Sequence, residues 1–169
     1  KIITDKLQLE KNKPNVSAWK KVVKRKLKPS KVVNVSFVGK YVDLKDAYFS
    51  LTEALDHAGI NNDTKVNINF VNSDELNNKN YSSKLKKSDA ILVPGGFGGR
   101  GIEGMILAAK YAREKKVPYF GICLGLQIAI IEIARNLCRL KDANSTEFKP
   151  RTKHKVISLI TEWKNKDGS

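Results

Sequence analysis

Residues 120–127, with the sequence FGICLGLQ, join two different hydrophobic patterns. The apolar run 117–122 predicts a short buried strand, and the apolar-periodic run 124–137 predicts a helix. Cys123 stands at the junction of the two, between Gly121 and Gly125. A strand that turns sharply into a helix strains the backbone at the junction residue and exposes its side chain. The segment therefore predicts a nucleophile elbow that carries a cysteine.

A small buried hydrophobic residue is the alternative interpretation of Cys123, since lone cysteines are commonly buried. Burial alone does not explain the two flanking glycines. The N-terminus of the following helix also offers free backbone N–H groups and a partial positive charge, which favour a reactive thiolate. We therefore expect Cys123 to be a nucleophile. Cys138 lies at the end of the same predicted helix without neighbouring glycines, and we expect it to be structural.

Strand and helix patterns alternate along the rest of the chain. Predicted strands cover 32–38, 66–71, 90–93 and 156–160. One predicted helix follows the first strand and ends near residue 58, and a second covers 102–115. Gly59 is expected to end the first of these helices as its C′ residue, and the polar segment 72–83 is expected to be a surface loop.

This alternation predicts a three-layer α/β fold, in which a mostly parallel sheet has helices on both faces. Ligands of such sheets bind beyond the carboxyl ends of the strands. Gly39, Gly95 and Cys123 each follow a predicted strand, so we expect the three turns to share one edge.

The loop 96–101, GFGGRG, matches the G-x-G-x-x-G pattern after a strand and before a helix. A dinucleotide site also needs an acidic residue about 20 residues further on, at the end of the next strand. That position falls in 121–123, which has no acid. We reject the dinucleotide interpretation and expect the backbone N–H groups of this loop to face the thiol, where they would stabilise an anionic intermediate.

The 169 residues carry a net charge of +15 and are 41% hydrophobic, which predicts one domain with a real core. Residues 1–31 hold eleven Lys/Arg and two acidic residues, so most of the excess charge lies there. Within this arm, basic residues alternate with Trp19, Val22, Val23 and Leu27 at helical spacing after a possible N-cap, Ser17. Such a helix can bind phosphates or a membrane surface, but no groove-reading motif accompanies it. We expect a linker helix.

Composition excludes several other classes of protein. No segment has the length and apolarity of a membrane span, and the lysine-rich beginning is unlike a signal peptide. Two cysteines do not make a disulfide framework, which predicts a reducing, cytoplasmic environment. With His57 and His154 as the two histidines and no Cys/His cluster, we expect no metal site.

Three segments taken together resemble the class I glutamine amidotransferases: PGGFG at 94–98, GICLGLQ at 121–127 and NSTEF at 144–148. The NSTEF segment narrows the resemblance to the amidotransferase domain of the CTP synthase family, to which VGKY at 38–41 and GIEGM at 101–105 are also similar. The resemblance implies a flavodoxin-like fold. It also implies that 1–31 is a linker from an N-terminal synthetase domain and that 32–169 is an amidotransferase domain without its C-terminal part.

The resemblance assigns roles to particular residues. It implies that Cys123 attacks the side-chain amide of L-glutamine, which gives a γ-glutamyl thioester and releases ammonia. It implies that the N–H groups of Gly96 and Leu124 form the oxyanion hole. The implied glutamine-binding residues are Gly96, Leu124, Gly125, Leu126, Gln127 and Glu147, with Glu147 suited to the α-ammonium group. Lys40 and Arg100 are expected contacts for the phosphates of an effector.

The same resemblance implies the properties of a parent enzyme. In that family, a ligase of pyrimidine biosynthesis, ammonia passes to the synthetase domain, which aminates ATP-phosphorylated UTP to CTP. The family uses ATP and Mg²⁺, is activated by GTP and assembles as homotetramers. For this chain alone the resemblance implies no cofactor.

The general base is where the sequence departs from the family. Acyl transfer by cysteine needs a base, and the family takes it from a His-Pro-Glu segment near the C-terminus. Neither His57 nor His154 belongs to such a motif, and we expect both to be exposed. We therefore expect this chain alone to be inactive.

Two alternative functions stay open. One is a Cys-elbow hydrolase of the stress-protease or deglycase type, which the absence of a histidine in the thirty residues after Cys123 disfavours. The other is a non-enzymatic, basic module that binds nucleotides or nucleic acid through 1–31.

Overall fold

A computed structural model of the protein describes residues 2–9, 15–42 and 44–159. In these residues a parallel main sheet has the strand order β2-β1-β3-β4. Its strands are β1 (Lys31–Gly39), β2 (Thr64–Asn72), β3 (Ala90–Val93) and β4 (Tyr119–Gly121). The edge strand β2 stays in register with β1 along the full length of both strands, from Lys31 opposite Thr64 to Gly39 opposite Asn72.

Helices cover both faces of this sheet. They are α1 (Ile2–Lys6), α2 (Ser17–Leu27), α3 (Phe49–Asn61), α4 (Tyr81–Leu85), α5 (Ile102–Lys115) and α6 (Leu124–Asn136), with 3₁₀ turns at Lys45–Tyr48 and Ser73–Glu75. Because side chains alternate along a strand, Phe37 and Leu92 pack towards α3, whereas Val38 and Val93 join the core beneath α5 and α6. The predicted three-layer α/β fold is confirmed.

The predicted bounds of β3 and α5 agree residue for residue with the structure, but two neighbouring predictions are wrong. Helix α3 does not end at Gly59; it continues to Asn61. Gly59 is buried against β2, where a Cβ would come within 2.5 Å of the Thr64 carbonyl oxygen. The segment 72–83 is not a plain loop, because it contains the second 3₁₀ turn and the start of α4. Leu76 and Leu85 anchor this region in the core.

A second, two-stranded parallel sheet follows α6. It pairs β5 (Asn144–Ser145) with β6 (Lys155–Ile157). The predicted last strand, 156–160, therefore begins one residue earlier, ends at Ile157 and does not join the main sheet. Residue 160 and the predicted tail 163–169 lie outside the described residues.

The basic helix α2 packs beside α3. The guanidinium of Arg25 donates to the Asn61 carbonyl oxygen at 2.7 Å, and Lys26 forms an ion pair with Asp56 at 2.9 Å. Ser17 is not the N-cap: it is the first helical residue, and its N–H donates to the Asn15 side chain. The apolar residues of α2 remain largely exposed, Trp19 by 70%. The division of the chain at residue 31 stays a prediction.

Candidate active site

The elbow predicted from the sequence is present in the backbone. Cys123 separates β4 from α6, has φ 53° and ψ −104°, and is exposed. A positive φ is uncommon for a residue with a side chain and stores strain that its surroundings must support. The thiol is thus both accessible and held in a strained conformation at the N-terminus of a helix.

The two glycines that flank Cys123 allow main chains to approach closely. A Cβ on Gly125 would lie 2.1 Å from the Val93 carbonyl oxygen, and a Cβ on Gly121 would lie 2.4 Å from the Gly125 carbonyl carbon. The Tyr119 hydroxyl also donates to the Gly125 carbonyl oxygen at 2.7 Å. Burial, reinforced by the charge of Glu132, raises the pKa of Tyr119, so the phenol remains a donor. The end of β3, the elbow and the first turn of α6 form one closely packed unit.

The three turns expected to share one edge of the sheet do so. The Cβ position of Gly95 lies 3.5 Å from the Cβ of Cys123, and that of Gly39 lies 3.4 Å from the Pro94 ring. Gly96 is next to α6, with its Cβ position 3.4 Å from Leu124 Cδ2. We name residues 94–101 the glycine loop. It lies directly beside the elbow.

The backbone amides near the thiol that have no acceptor within the described parts of the chain include those of Gly96 and Leu124. The next two amides of α6 are engaged, since Gly125 donates to the Ile122 carbonyl oxygen and Leu126 to that of Cys123. Unpaired amides beside a nucleophile are chemically suited to bind a developing oxyanion.

The buried side chain of Lys40 binds the glycine loop. It is 3% exposed, and its ammonium donates to the carbonyl oxygens of Phe97, at 2.9 Å, and Gly98. Burial lowers the pKa of Lys40, while the carboxylate of Glu147 acts in the opposite direction.

Arg100 holds the far end of the loop. It pairs with Asp74 at 3.0 Å, donates to the Lys40 carbonyl oxygen at 3.0 Å and lies over the ring of Tyr41. Both cations expected at an effector phosphate are thus bonded within the protein, and the effector contact stays a prediction.

Glu147 also contacts the glycine loop. It follows β5, is exposed, and accepts a hydrogen bond from the Gly98 N–H at 2.8 Å. The NSTEF segment and the glycine loop, separate in sequence, are therefore in contact. Leu126 and Gln127, two further residues of the predicted site, lie in the first turn of α6, immediately after Cys123 and Leu124.

The two histidines have different surroundings, and in the described parts of the chain neither is hydrogen-bonded to Cys123. His57 lies exposed on α3, 4.0 Å from the carboxylate of Glu53. His154 was expected to be exposed, which is wrong: it is partly buried, and its Nδ1 hydrogen-bonds to the carboxylate of Asp142. Cys138 is exposed rather than buried, because it lies just beyond the last turn of α6.

The sequence analysis missed the supporting roles of two residues, because it expected Lys40 to contact an effector and gave Tyr119 no role. Lys40 directly follows a buried strand at the ligand-binding edge of the sheet, and that position could have indicated a contact with the next loop. No comparable signal marked Tyr119. In the described residues, no group of three or more His, Cys, Asp or Glu could hold a metal ion.

A family model described as glutamine amidotransferase class-I matches residues 43–166. The chain belongs to the class I glutamine amidotransferases. This amidotransferase is similar to a CTP synthase from Methanocaldococcus jannaschii, with 51% identity over 174 residues. That similarity covers 99% of this chain and 32% of the relative, so the chain spans about a third of the relative's length.

A solved structure gives the same result for the fold. The amidotransferase is similar to the glutaminase domain of Trypanosoma brucei CTPS with bound acivicin, at 40% identity and a TM-score of 0.72. The similarity covers 81% of this chain and 53% of that one. The predicted family and fold are confirmed. Within the described residues no helix has the length and apolarity that a bilayer span requires.

Proposed function

We propose that this amidotransferase is the glutaminase part of a CTP synthase and that it releases ammonia from L-glutamine through a thioester on Cys123. The observation that carries the proposal is that Cys123 is exposed, has a strained backbone and lies beside the glycine loop. Its Cβ is 3.5 Å from the Cβ position of Gly95. A buried or unstrained cysteine would not be offered to a substrate next to unpaired amides. The similarity to two proteins described as CTP synthase or CTPS supports the choice of parent enzyme.

The proposed reaction begins when the Cys123 thiolate attacks the side-chain carbonyl carbon of glutamine. The carbonyl oxygen becomes an oxyanion, which accepts hydrogen bonds from the N–H groups of Gly96 and Leu124. Collapse of this intermediate breaks the carbon–nitrogen bond, and the departing nitrogen takes the proton lost by the thiol and leaves as ammonia. Water then attacks the thioester, which releases glutamate and restores the thiol.

Glu147 is the proposed partner of the substrate's α-ammonium group. Its carboxylate is exposed and already fixed by the Gly98 N–H, so it can receive a cation with little reorganisation. Gly125, Leu126 and Gln127 complete the proposed glutamine site in the first turn of α6.

The proton-transfer base is not supplied by either histidine, since His57 is beside Glu53 and His154 is bonded to Asp142. We propose that the 169-residue polypeptide by itself forms the thioester slowly and turns over little glutamine. ATP, Mg²⁺ and UTP belong, in this proposal, to a synthetase domain in a cytoplasmic homotetramer. GTP contacts by Lys40 and Arg100 would require both side chains to exchange their present partners.

Selective labelling of Cys123 by acivicin tests the proposal, and Cys138 is an internal control because both thiols are exposed. Mass spectrometry should find acivicin on Cys123 alone, with glutamine slowing the reaction. Iodoacetamide should modify both thiols, and Cys123→Ser should abolish acivicin labelling. Equal acivicin labelling of Cys138, or labelling that glutamine does not slow, would contradict the proposal.

Measuring ammonia release from glutamine tests separately the proposal that the 169-residue polypeptide by itself turns over little glutamine. A rate near that of an intact amidotransferase would refute low turnover while leaving the glutaminase function in place.

A further inference from the structure

One face of the main sheet is polar towards the amino ends of its strands, away from Cys123. Asn34 lies opposite Asn67, and Ser36 lies opposite Asn69. The Asn67 side chain donates to Asn34 Oδ1 at 3.2 Å. Asparagine is depleted in strands, and further along the same face Val38 and Val71 are buried in the core. This face of the sheet therefore changes from apolar to polar towards the amino ends of β1 and β2.

A groove of about 400 Å³ lies over this polar face, a size that suits a small molecule. Its lining residues include three lysines and no carboxylate: Asn34, Ser36, Asn69, Ser83, Lys84, Lys86, Lys87 and Ser88. Lys84 is paired with Glu75. Lys86 and Lys87 form no ion pair within the described parts of the chain, so two of the three lysine charges of the groove are unpaired.

The segment that carries these two lysines is firmly attached to β1. Leu85 is fully buried beside them. The hydroxyls of Ser88 and Ser36 are 2.6 Å apart, and the carboxylate of Asp89 accepts from the Asn34 main-chain N–H at 2.7 Å and side-chain amide at 3.0 Å. A groove whose wall is already fixed loses little conformational entropy when a ligand binds.

We propose that this groove binds a phosphate-bearing small molecule. Its phosphate would contact the ammonium groups of Lys86 and Lys87, which bind phosphate as point charges. The amide of Asn69 provides a donor and an acceptor for hydroxyl groups of the same molecule. The hydroxyl of Ser83 donates to the Asn80 carbonyl oxygen at 2.9 Å, so it provides an acceptor. The site is distinct from the glutamine site, because it lies towards the opposite ends of the strands.

Nuclear magnetic resonance titration of the ¹⁵N-labelled 169-residue chain tests this proposal, with pyrophosphate and ribose 5-phosphate as probes at constant ionic strength. Both probes should give saturable shifts at the backbone amides of 83–88. Ribose 5-phosphate should also shift the side-chain amide of Asn69 and should bind more tightly than inorganic phosphate. If ribose 5-phosphate bound more weakly than inorganic phosphate, the proposed contact of its hydroxyl groups with the polar side chains would be wrong.

Matched variants separate this site from the general attraction of a basic protein. Lys86→Ala/Lys87→Ala should weaken pyrophosphate binding about tenfold, the effect of two lost charge-assisted contacts. Lys20→Ala/Lys24→Ala removes the same charge from α2 and should leave the affinity unchanged. Asn69→Asp, which adds a carboxylate and spares the lysines, should weaken binding as well. Equal losses in both double variants, or no saturable shift, would overturn the proposal.

Discussion

The elbow and the glycine loop are adjacent at one edge of the sheet, yet they are held in different ways. The elbow is held by main-chain packing, in which Gly121 and Gly125 leave no room for a Cβ. The glycine loop is held by the side chains of Lys40 and Glu147, which are distant from it in sequence. At Gly98 and Gly99 a Cβ would meet nothing within 4 Å. The glycines of the elbow are required by space, whereas these two loop glycines are not.

We therefore expect the elbow and the glycine loop to tolerate substitutions differently. A change in the elbow displaces backbone that carries the nucleophile, so it should affect folding and reactivity together. A change in the glycine loop releases a segment whose ends remain attached to β3 and α5, so it should affect the local order first. Three substitutions, in order of decreasing effect, test that contrast.

Gly125→Ala should have the largest effect. The new Cβ would lie 2.1 Å from the Val93 carbonyl oxygen, so β3 and α6 would have to separate. We expect the free energy of unfolding to fall by about 2–3 kcal/mol, the upper part of the range for overpacked core positions. Urea denaturation followed by circular dichroism measures this change.

Gly99→Ala is the matched control for that substitution. It adds the same methyl group in the glycine loop, where a Cβ has open space, and should change the stability by less than about 0.5 kcal/mol. Similar losses in the two variants would mean that the elbow and the loop are held alike.

The same contrast explains how much of the site could be predicted from the sequence. The elbow was predictable because its signals are local: an apolar strand, a cysteine between glycines and an apolar-periodic helix. The contacts that fix the glycine loop join residues far apart in the chain, such as Glu147 with Gly98. No periodicity contains that information, and Glu147 could be placed near the substrate only through the resemblance.

The fold was predictable to the same extent and for the same reason. β3 and α5 are bounded by Pro94, Gly101 and other local signals, and their limits were correct. Gly59 was misread because its requirement is contact with Thr64 in β2 and not a helix end. The polar segment 72–83 hid a short helix because Leu85, the residue that anchors it, lies outside the segment. Cys138 was expected to be structural, and its exposure depends on where α6 ends relative to the rest of the protein.

Lys40→Met should have an intermediate effect, confined to the glycine loop. The substitution keeps a long buried side chain but removes the hydrogen bonds to the carbonyl oxygens of Phe97 and Gly98. Because loss of the buried charge offsets part of this, we expect a net destabilisation of about 1 kcal/mol. Amide hydrogen exchange should accelerate in 95–101 and remain slow in 121–126.

Lys31→Met, at the exposed start of β1, the strand that Lys40 follows, is the control for this variant and should leave exchange unchanged in both segments. If Lys40→Met accelerated exchange equally in 121–126, the elbow would depend on the loop and the two regions would not be separately held.

Asp142→Asn should have the smallest effect, because Asp142 does not touch the glycine loop. It stabilises the β5–β6 sheet, and Glu147, which follows β5, contacts the loop. The carboxylate of Asp142 bonds to His154 and accepts from the Lys153 N–H at 2.9 Å, next to the β5–β6 pairing. The hydrogen bond to His154 lowers the pKa of Asp142 below its ordinary value of 3.8. A lowered folded-state pKa means that the stabilisation is present above the unfolded-state value and is lost as the pH falls through the folded-state value.

The stability difference between the wild type and Asp142→Asn should therefore be constant near neutral pH and shrink below about pH 3.8. Urea midpoints between about pH 7 and pH 2.5 measure it, within the range where carboxylates titrate. His154→Asn removes the largest cause of the lowered pKa and should weaken this dependence, while the Lys153 N–H, which also lowers the pKa, preserves part of it. If the pH dependence persisted unchanged in the His154→Asn background, the hydrogen bond between Asp142 and His154 would not be its source. The contact of Glu147 with the glycine loop would then not depend on that hydrogen bond.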